Sequence, residues 1–400
     1  MESQKQANHG SVLGSSLLIA GCCIGAGMLG LPVLSANAGF IPSSVMFFVV
    51  WLFMMTTGLL LLEVNLWFTG EDVSIISMAG RTLGRVGQAA GWILFCYLFY
   101  SIMVAYVAGS GSLLAGIAED FDLLLPKWLG SIVFTVFFGV LIYFGTEAVD
   151  WFNRLLMIGL ITSYFSLLFS GAGYIQPSLL ARSDWTAVWM VIPAMVISFG
   201  YHNLIPSLTT YLGGNSRKLV GVVAVGSFIP LVIYLAWEAL ILGIVPAEGF
   251  QLALDTGEIA TLALKNIVDS RTVLLLAEHF AFFALVSSFL SVALSFLDFL
   301  ADGLTIKKDG KGKFLLCLMT LVPPFILAML YPGIFLKALS YAGAFGAVIL
   351  FGIMPALMVW RGRYVLKVDA VRIVPGGRAA LALVIAFASW VVLVNLWKVF

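Results

Sequence analysis

Charge is scarce in this chain: Lys, Arg, Asp and Glu make up 10% of 400 residues, against about 25% in an average soluble protein. The 21 basic and 20 acidic residues are scattered along it, which excludes the one-sided charge of a nucleic-acid partner. Histidine occurs three times and cysteine four. Cys22, Cys23, Cys96 and Cys317 all lie inside apolar runs, where cysteine behaves as a small hydrophobe, and neither a disulfide framework nor a zinc spacing is present. Without paired ligand spacing no metal site is expected, and no acid-base or nucleophilic constellation points to an enzyme. No stretch repeats the polar or charged rings that line a channel.

What the chain has instead is apolar length, with 62% hydrophobic residues. At about 20 residues per membrane crossing it divides into eleven segments, near 11–37, 42–68, 88–117, 129–146, 150–172, 187–212, 219–245, 272–304, 314–331, 334–360 and 378–398. The expectation is an all-α polytopic membrane protein in a lipid bilayer, a single transmembrane domain whose oligomeric state the sequence leaves open. The longest interval, 246–271, holds Glu248, Asp255, Glu258, Lys265 and Asp269 and is expected to form a short surface helix. In the loop from Glu71 to Gln88, apolar residues interleave with Arg81 and Arg85; an interfacial amphipathic helix and an ordinary charged connector both fit.

Orientation follows the positive charges. Lys127, Arg182, Lys265, Arg271, Lys337 and Lys398 fall on one side, and the remaining 15 of 21, beginning with Lys5, on the other. The richer side is expected to be cytoplasmic, with the amino terminus inside and the carboxyl terminus outside. A cleaved signal peptide is not expected, because the apolar run 12–36 is far longer than an h-region of about 7–15 residues.

Two segments do not read as continuous helices. The first carries Gly21, Gly25, Gly27, Gly30 and Pro32, and the sixth carries Gly200, His202, Asn203 and Pro206 at its centre; glycine and proline weaken or end a helix. Alone, Gly21-x-x-x-Gly25 is also a helix-packing spacing and Pro206 a simple kink. Five segments apart, however, the breaks occupy matching places in two halves of opposite orientation, about 11–172 and 187–360, with 378–398 as an additional helix. Matched interruptions of this kind point to a transporter substrate site near the bilayer midplane.

Ala20 to Leu29 (AGCCIGAGML), Ser198 to His202 (SFGYH) through Pro206-Ser207, Tyr211 to Asn215 (YLGGN) followed by Arg217-Lys218, Ser287 to Leu290 (SSFL) and Leu297 to Asp302 (LDFLAD) resemble the aromatic amino acid permeases, the tyrosine and tryptophan carriers. The resemblance covers nearly the whole chain and is most specific in segments one, six and eight. Cys22 and Cys23 stand where the family often has small hydroxyl residues. The resemblance implies a LeuT-like inverted-repeat fold of five plus five helices, a bacterial inner-membrane location, alternating access, proton symport and no cofactor. Tyrosine is the expected substrate; a sodium-coupled or exchange carrier of tryptophan, serine or threonine is the alternative.

An amino acid zwitterion needs both charges compensated inside a membrane. Free N–H groups at Gly25, Ala26 and Gly27 would face the carboxylate, aided by a helix dipole. Free carbonyls near Cys23, Ile24, Ser198 and Phe199 would accept the ammonium. Tyr100, Tyr106, Phe199 and Tyr201, with Gly200 between, are candidates to surround an aromatic ring, each equally able to be core. Among ionisable groups, Glu63 is expected to brace the second break, carry a coupling proton or sit at the inner interface. His202 is a proton site or a neutral histidine bonded to freed carbonyls. Ser287 and Ser288 are sodium ligands or packing residues. Asp298 and Asp302, four apart, suit an inner gate with Arg154 as a plausible partner, and Glu278 and His279 an entrance or a solvated position.

Overall fold

The computed structural model describes residues 11–399 except 72, 120, 258, 266 and 332, and the side chains of 262, 265, 398 and 399 also lie outside the described residues. Of the charges used for orientation, Lys5, Lys265 and Lys398 therefore lie outside the described side chains, as does Glu258 of the interval 246–271. All eleven expected segments are helical. Among the described residues, nine are helices long enough to cross a bilayer: Phe40–Leu66, Ile75–Glu119, Lys127–Phe144, Thr146–Tyr174, Ser216–Ile244, Arg271–Leu304, Gly310–Leu330, Phe335–Tyr364 and Gly377–Trp397. The first span consists of Val12–Cys23 and Gly27–Ser35, bent by 57°, and the sixth of Ile192–Ser198 and Ile205–Tyr211. Helices satisfy their own backbone, which a bilayer demands; the protein is an integral membrane protein.

The two broken spans sit in the interior. From Ala26 to Val33 nearly every side chain is buried, as are Val191 to Val196. Large apolar residues such as Phe48, Phe137, Ile158 and Leu383 point outward, toward lipid.

Span three begins earlier than the hydropathy suggests. Its helix starts at Ile75 and kinks at Gly84, where φ is 79°, a conformation that glycine adopts without a side-chain clash. Before the kink, Ile75, Met78, Ala79 and Thr82 are buried at helical spacing, while Arg81 pairs with Glu71 and lies 5.0 Å over the Phe68 ring. The amphipathic helix therefore forms, and it docks on the end of span two.

The interval 246–271 forms short helices, with Gln251, Leu252 and Asp255 exposed, but it has a buried side as well. Its short helices Gln251–Thr256 and Ala260–Lys265 bury Phe250, Ile259, Ala260 and Leu264 and pack against Gly27–Ser35. The charges suggested a surface helix, and the apolar residues between them close over the second half of span one. Span ten contains a widened helical stretch, Ala342–Ile353, where a side chain on Gly343 would run into the Pro193 carbonyl and one on Gly346 would come within 2.9 Å of Leu98. Such π-type turns frequently mark functional regions.

Candidate substrate site

Between Cys23 and Gly27 the chain leaves the helix at Ile24 (φ −77°, ψ 101°). Ile24 N–H still donates to the Ala20 carbonyl, and Met28 and Leu29 N–H donate to the Gly25 and Ala26 carbonyls. Ala26 N–H donates to Ser288 Oγ at 2.9 Å. The N–H groups of Gly25 and Gly27 find no acceptor among the described residues. They open the nine-residue half-helix Gly27–Ser35, where unsatisfied donors and the dipole together favour an anion. Glycine is required by close approach: a Cβ at Gly25 would overlap Ser288 Oγ, and one at Gly27 would lie 2.9 Å from Ser198 Oγ.

Span seven, which the sequence reading left out of the site, supplies its brace. The buried Tyr234 hydroxyl lies 2.6 Å from the Cys23 carbonyl and 2.8 Å from the Ser198 carbonyl. It thus joins the C-terminal ends of both first halves. Three residues on, Trp237 Nε1 donates to the Met28 carbonyl at 3.0 Å. That carbonyl would ordinarily receive the N–H of residue 32, but Pro32 has none. A proline four residues after a carbonyl, with an aromatic helix face elsewhere, was the available signal. Tyr234→Phe should remove the one donor that these two buried carbonyls share, at a cost of about 1–3 kcal/mol. Substrate affinity measured in detergent is expected to fall about tenfold; an unchanged affinity would show that the bridge does not shape the site.

Mid-span, Cys22 is exposed, while Ile24, Gly27 and Gly200 are half-buried. Cys22 Sγ lies 4.0 Å from the Gly200 carbonyl, so the space these residues face is between the two breaks. Tyr106 lies against Ser288 beside it. The structure therefore gathers Ile24, Gly25, Ala26, Gly27, Tyr106, Ser198, Gly200 and Ser288 around that space.

Other candidates are placed differently. Ala26 N–H is occupied by Ser288, leaving two donors of the expected three. The Cys23 and Ser198 carbonyls already share the Tyr234 hydroxyl, and the Phe199 carbonyl accepts from Tyr201 N–H at 3.0 Å. The Phe199 ring packs on Tyr234 at 5.2 Å. Tyr100 turns to span nine and donates to the Met319 carbonyl at 3.0 Å. Tyr201 is buried against span two, its hydroxyl donating to the Met54 carbonyl at 3.2 Å. His202 meets the Thr57 hydroxyl at 2.9 Å rather than a freed carbonyl, and its ring is stacked between Tyr201 and Phe351. Ser287 donates to the Ala284 carbonyl of its own helix.

Glu63 does not touch the second break. It receives Arg363 Nε at 2.7 Å and Nη2 at 2.6 Å, together with the backbone N–H groups of Ile373 and Val374. It thus ties span two to the end of span ten. Asp298 pairs with Lys308 at 2.9 Å and Arg154 with Asp150 at 2.7 Å, so the Asp298–Arg154 gate is not formed; Asp302 is exposed at the end of its helix. His279 Nδ1 lies 2.6 Å from the Leu275 carbonyl on an exposed face.

The sequence profile of the tryptophan/tyrosine permease family matches residues 8–395. A tryptophan-specific transport protein of Pseudomonas aeruginosa is 33% identical, over 96% of this chain and 94% of that one. Tyrosine-specific transport system 1 of Haemophilus influenzae is 34% identical, over 88% of each. Among solved structures, MhsT in complex with L-phenylalanine superposes with a TM-score of 0.67 at 15% identity, covering all of both chains. That likeness shows the LeuT-like fold.

Proposed function

The chain belongs to the tryptophan/tyrosine permease family, a family of transport proteins rather than enzymes, and from that premise we propose that it imports tyrosine by proton symport. The observation that carries the reading is the pair of uncommitted N–H groups at Gly25 and Gly27 in the space between two broken spans. They bind the substrate carboxylate. The Ile24 and Gly200 carbonyls, which receive no backbone donor among the described residues, take the ammonium. Tyr106 forms the wall against which the aromatic ring packs, and the thiol of Cys22 leaves room beside it.

The pairing of relatives named for tyrosine and for tryptophan supports an aromatic substrate. Proton coupling is the reading the family resemblance carries; Ser288 Oγ accepts from Ala26 N–H and Ser287 donates within its own helix, contacts that leave lone pairs on both hydroxyl oxygens. In this reading the protein lies in a bacterial inner membrane with its amino terminus cytoplasmic, and the broken spans rock against the remaining helices to expose the site to each side in turn.

Uptake of labelled tyrosine, tryptophan, phenylalanine and serine into proteoliposomes, under separate proton and sodium gradients, tests both parts. Tyrosine is expected to accumulate under an inward proton gradient without sodium. Accumulation of serine but no aromatic would overturn the substrate, and dependence on sodium, or on neither gradient, would overturn the coupling.

A further inference from the structure

We propose that Glu238 of span seven binds the co-transported proton, an inference that rests on the proton-symport reading above. Glu238 lies one helical turn beyond Tyr234 and is fully buried. Its Oε2 is 2.6 Å from Ser35 Oγ, and its Oε1 has no hydrogen-bond partner. No ion pair among the described residues involves it. An ionised carboxylate so placed inside a bilayer is strongly disfavoured.

Among the described residues, the surroundings offer no compensating charge. Span one brings Cys23 to the neighbouring Tyr234. Span five and the turn after it bring Tyr164, whose hydroxyl donates to the Ile233 carbonyl, and the exposed Tyr174. Arg182 reaches the end of span one but donates to the Ala36 carbonyl. Glu63 of span two is paired with Arg363. Span eight, packed on Trp237 through Phe280, carries His279 on an exposed face. The Lys265 side chain, on the short helix packed nearby, lies outside the described residues.

Counting protons identifies the form that fits this conformation. The Ser35 hydroxyl has one hydrogen, and Oγ lies within reach of both Glu238 Oε2 and the Pro32 carbonyl, 3.3 Å away. With a proton on Oε2, Glu238 donates to Ser35 and Ser35 donates to Pro32, so both contacts are satisfied. Without it, Ser35 can donate to only one acceptor, and Oε1 carries charge with no donor.

Ser35 ends the half-helix whose opening N–H groups face the substrate space. Proton and substrate carboxylate therefore bind to opposite ends of one element about 13 Å long. A pocket of about 20 Å³, lined by Ala36, Gly39, Arg182, Leu242 and Phe250 among others, lies beside Ser35 and one turn beyond Glu238. It has room for about one water and sits at the end of the bundle expected to face outward. A hydronium ion arriving from the outer solvent through that space gives its proton to Oε2: one hydronium O–H bond breaks, the Oε2–H bond forms, and water is left behind. When the half-helix tilts and withdraws Ser35, that bond breaks to water and the carboxylate is left hydrated. Movement of the substrate site and release of the proton are thereby the same displacement.

Proteoliposomes loaded with a pH-sensitive dye separate this from the symport reading. For wild type, an inward gradient of one pH unit should sustain about tenfold tyrosine accumulation if one proton moves per substrate, and tyrosine added without a gradient should acidify the lumen. Glu238→Gln keeps the size and fixes the group neutral; tyrosine-evoked proton uptake should vanish and accumulation should fall about tenfold, to equilibration, while exchange of labelled for unlabelled tyrosine continues. Should this variant not exchange at all, Ser35→Ala supplies the second measurement: it removes the partner of the bound proton and should shift the pH of half-maximal uptake by about one unit. Wild-type proton uptake in Glu238→Gln, or an unshifted pH profile in Ser35→Ala, would overturn the assignment and leave symport standing. Tyrosine uptake by wild type with no proton movement would overturn symport itself.

Discussion

Valine in place of Gly25 should abolish tyrosine uptake, by at least about a hundredfold, while the protein still inserts in the membrane. A hundredfold corresponds to about 2.7 kcal/mol, and two separate losses contribute to it. First, a Cβ at this position overlaps Ser288 Oγ, so the contact that holds Ala26 N–H at 2.9 Å has to open. Second, a branched side chain covers the N–H that the carboxylate must approach. Gly27→Val tests the same site from the other side, since a Cβ there comes within 2.9 Å of Ser198 Oγ and pushes spans one and six apart. Membrane content by immunoblot and uptake of labelled tyrosine are the two measurements. Normal uptake by both variants would falsify the carboxylate site.

Removal of Glu63 is expected to be the most damaging change to stability. Its carboxylate and the Arg363 guanidinium are 1% and 4% exposed, and Arg363 Nη2 also donates to the Val374 carbonyl at 2.9 Å. Taking away one member of a buried pair strands the other charge, at a cost of about 3–5 kcal/mol, a large share of the roughly 5–15 kcal/mol that holds a typical domain folded. Glu63→Ala should therefore lower the melting temperature in detergent sharply and reduce the amount of folded carrier recovered. Glu63→Met with Arg363→Met together should lose less than the sum of the single changes, because no charge is left stranded. Additive losses would mean that the two residues act independently.

The spans and their breaks were legible in the sequence for the same reason. Membrane helices announce themselves by apolar length, and Gly25, Gly27, Gly200 and Pro206 act on the backbone where they stand. What binds at a break depends on residues distant in the chain, and there local reading failed in both directions. Tyr234 and Trp237 looked like two more aromatics in an apolar helix, and only packing of span seven against span one reveals their carbonyl partners. Tyr100 and Tyr201 looked equally suited to the pocket, yet each hydroxyl goes to a carbonyl in another span. Glu63 could be recognised as consequential from its depth, but its partner lies 300 residues away. Asp298 and Arg154 show the converse: complementary charge does not specify pairing when each has a nearer partner.

The Tyr234 hydroxyl carries one hydrogen but stands within bonding distance of two carbonyls. At any instant it can donate fully to only one of them. Parting the first halves of spans one and six therefore sacrifices less than one full hydrogen bond, itself worth roughly 0.5–1.5 kcal/mol net, because the hydrogen stays with whichever half remains. The joint behaves as a latch with a single tooth and two slots: it sets the distance between the halves in this conformation, yet it presents a barrier that a bound substrate can readily overcome.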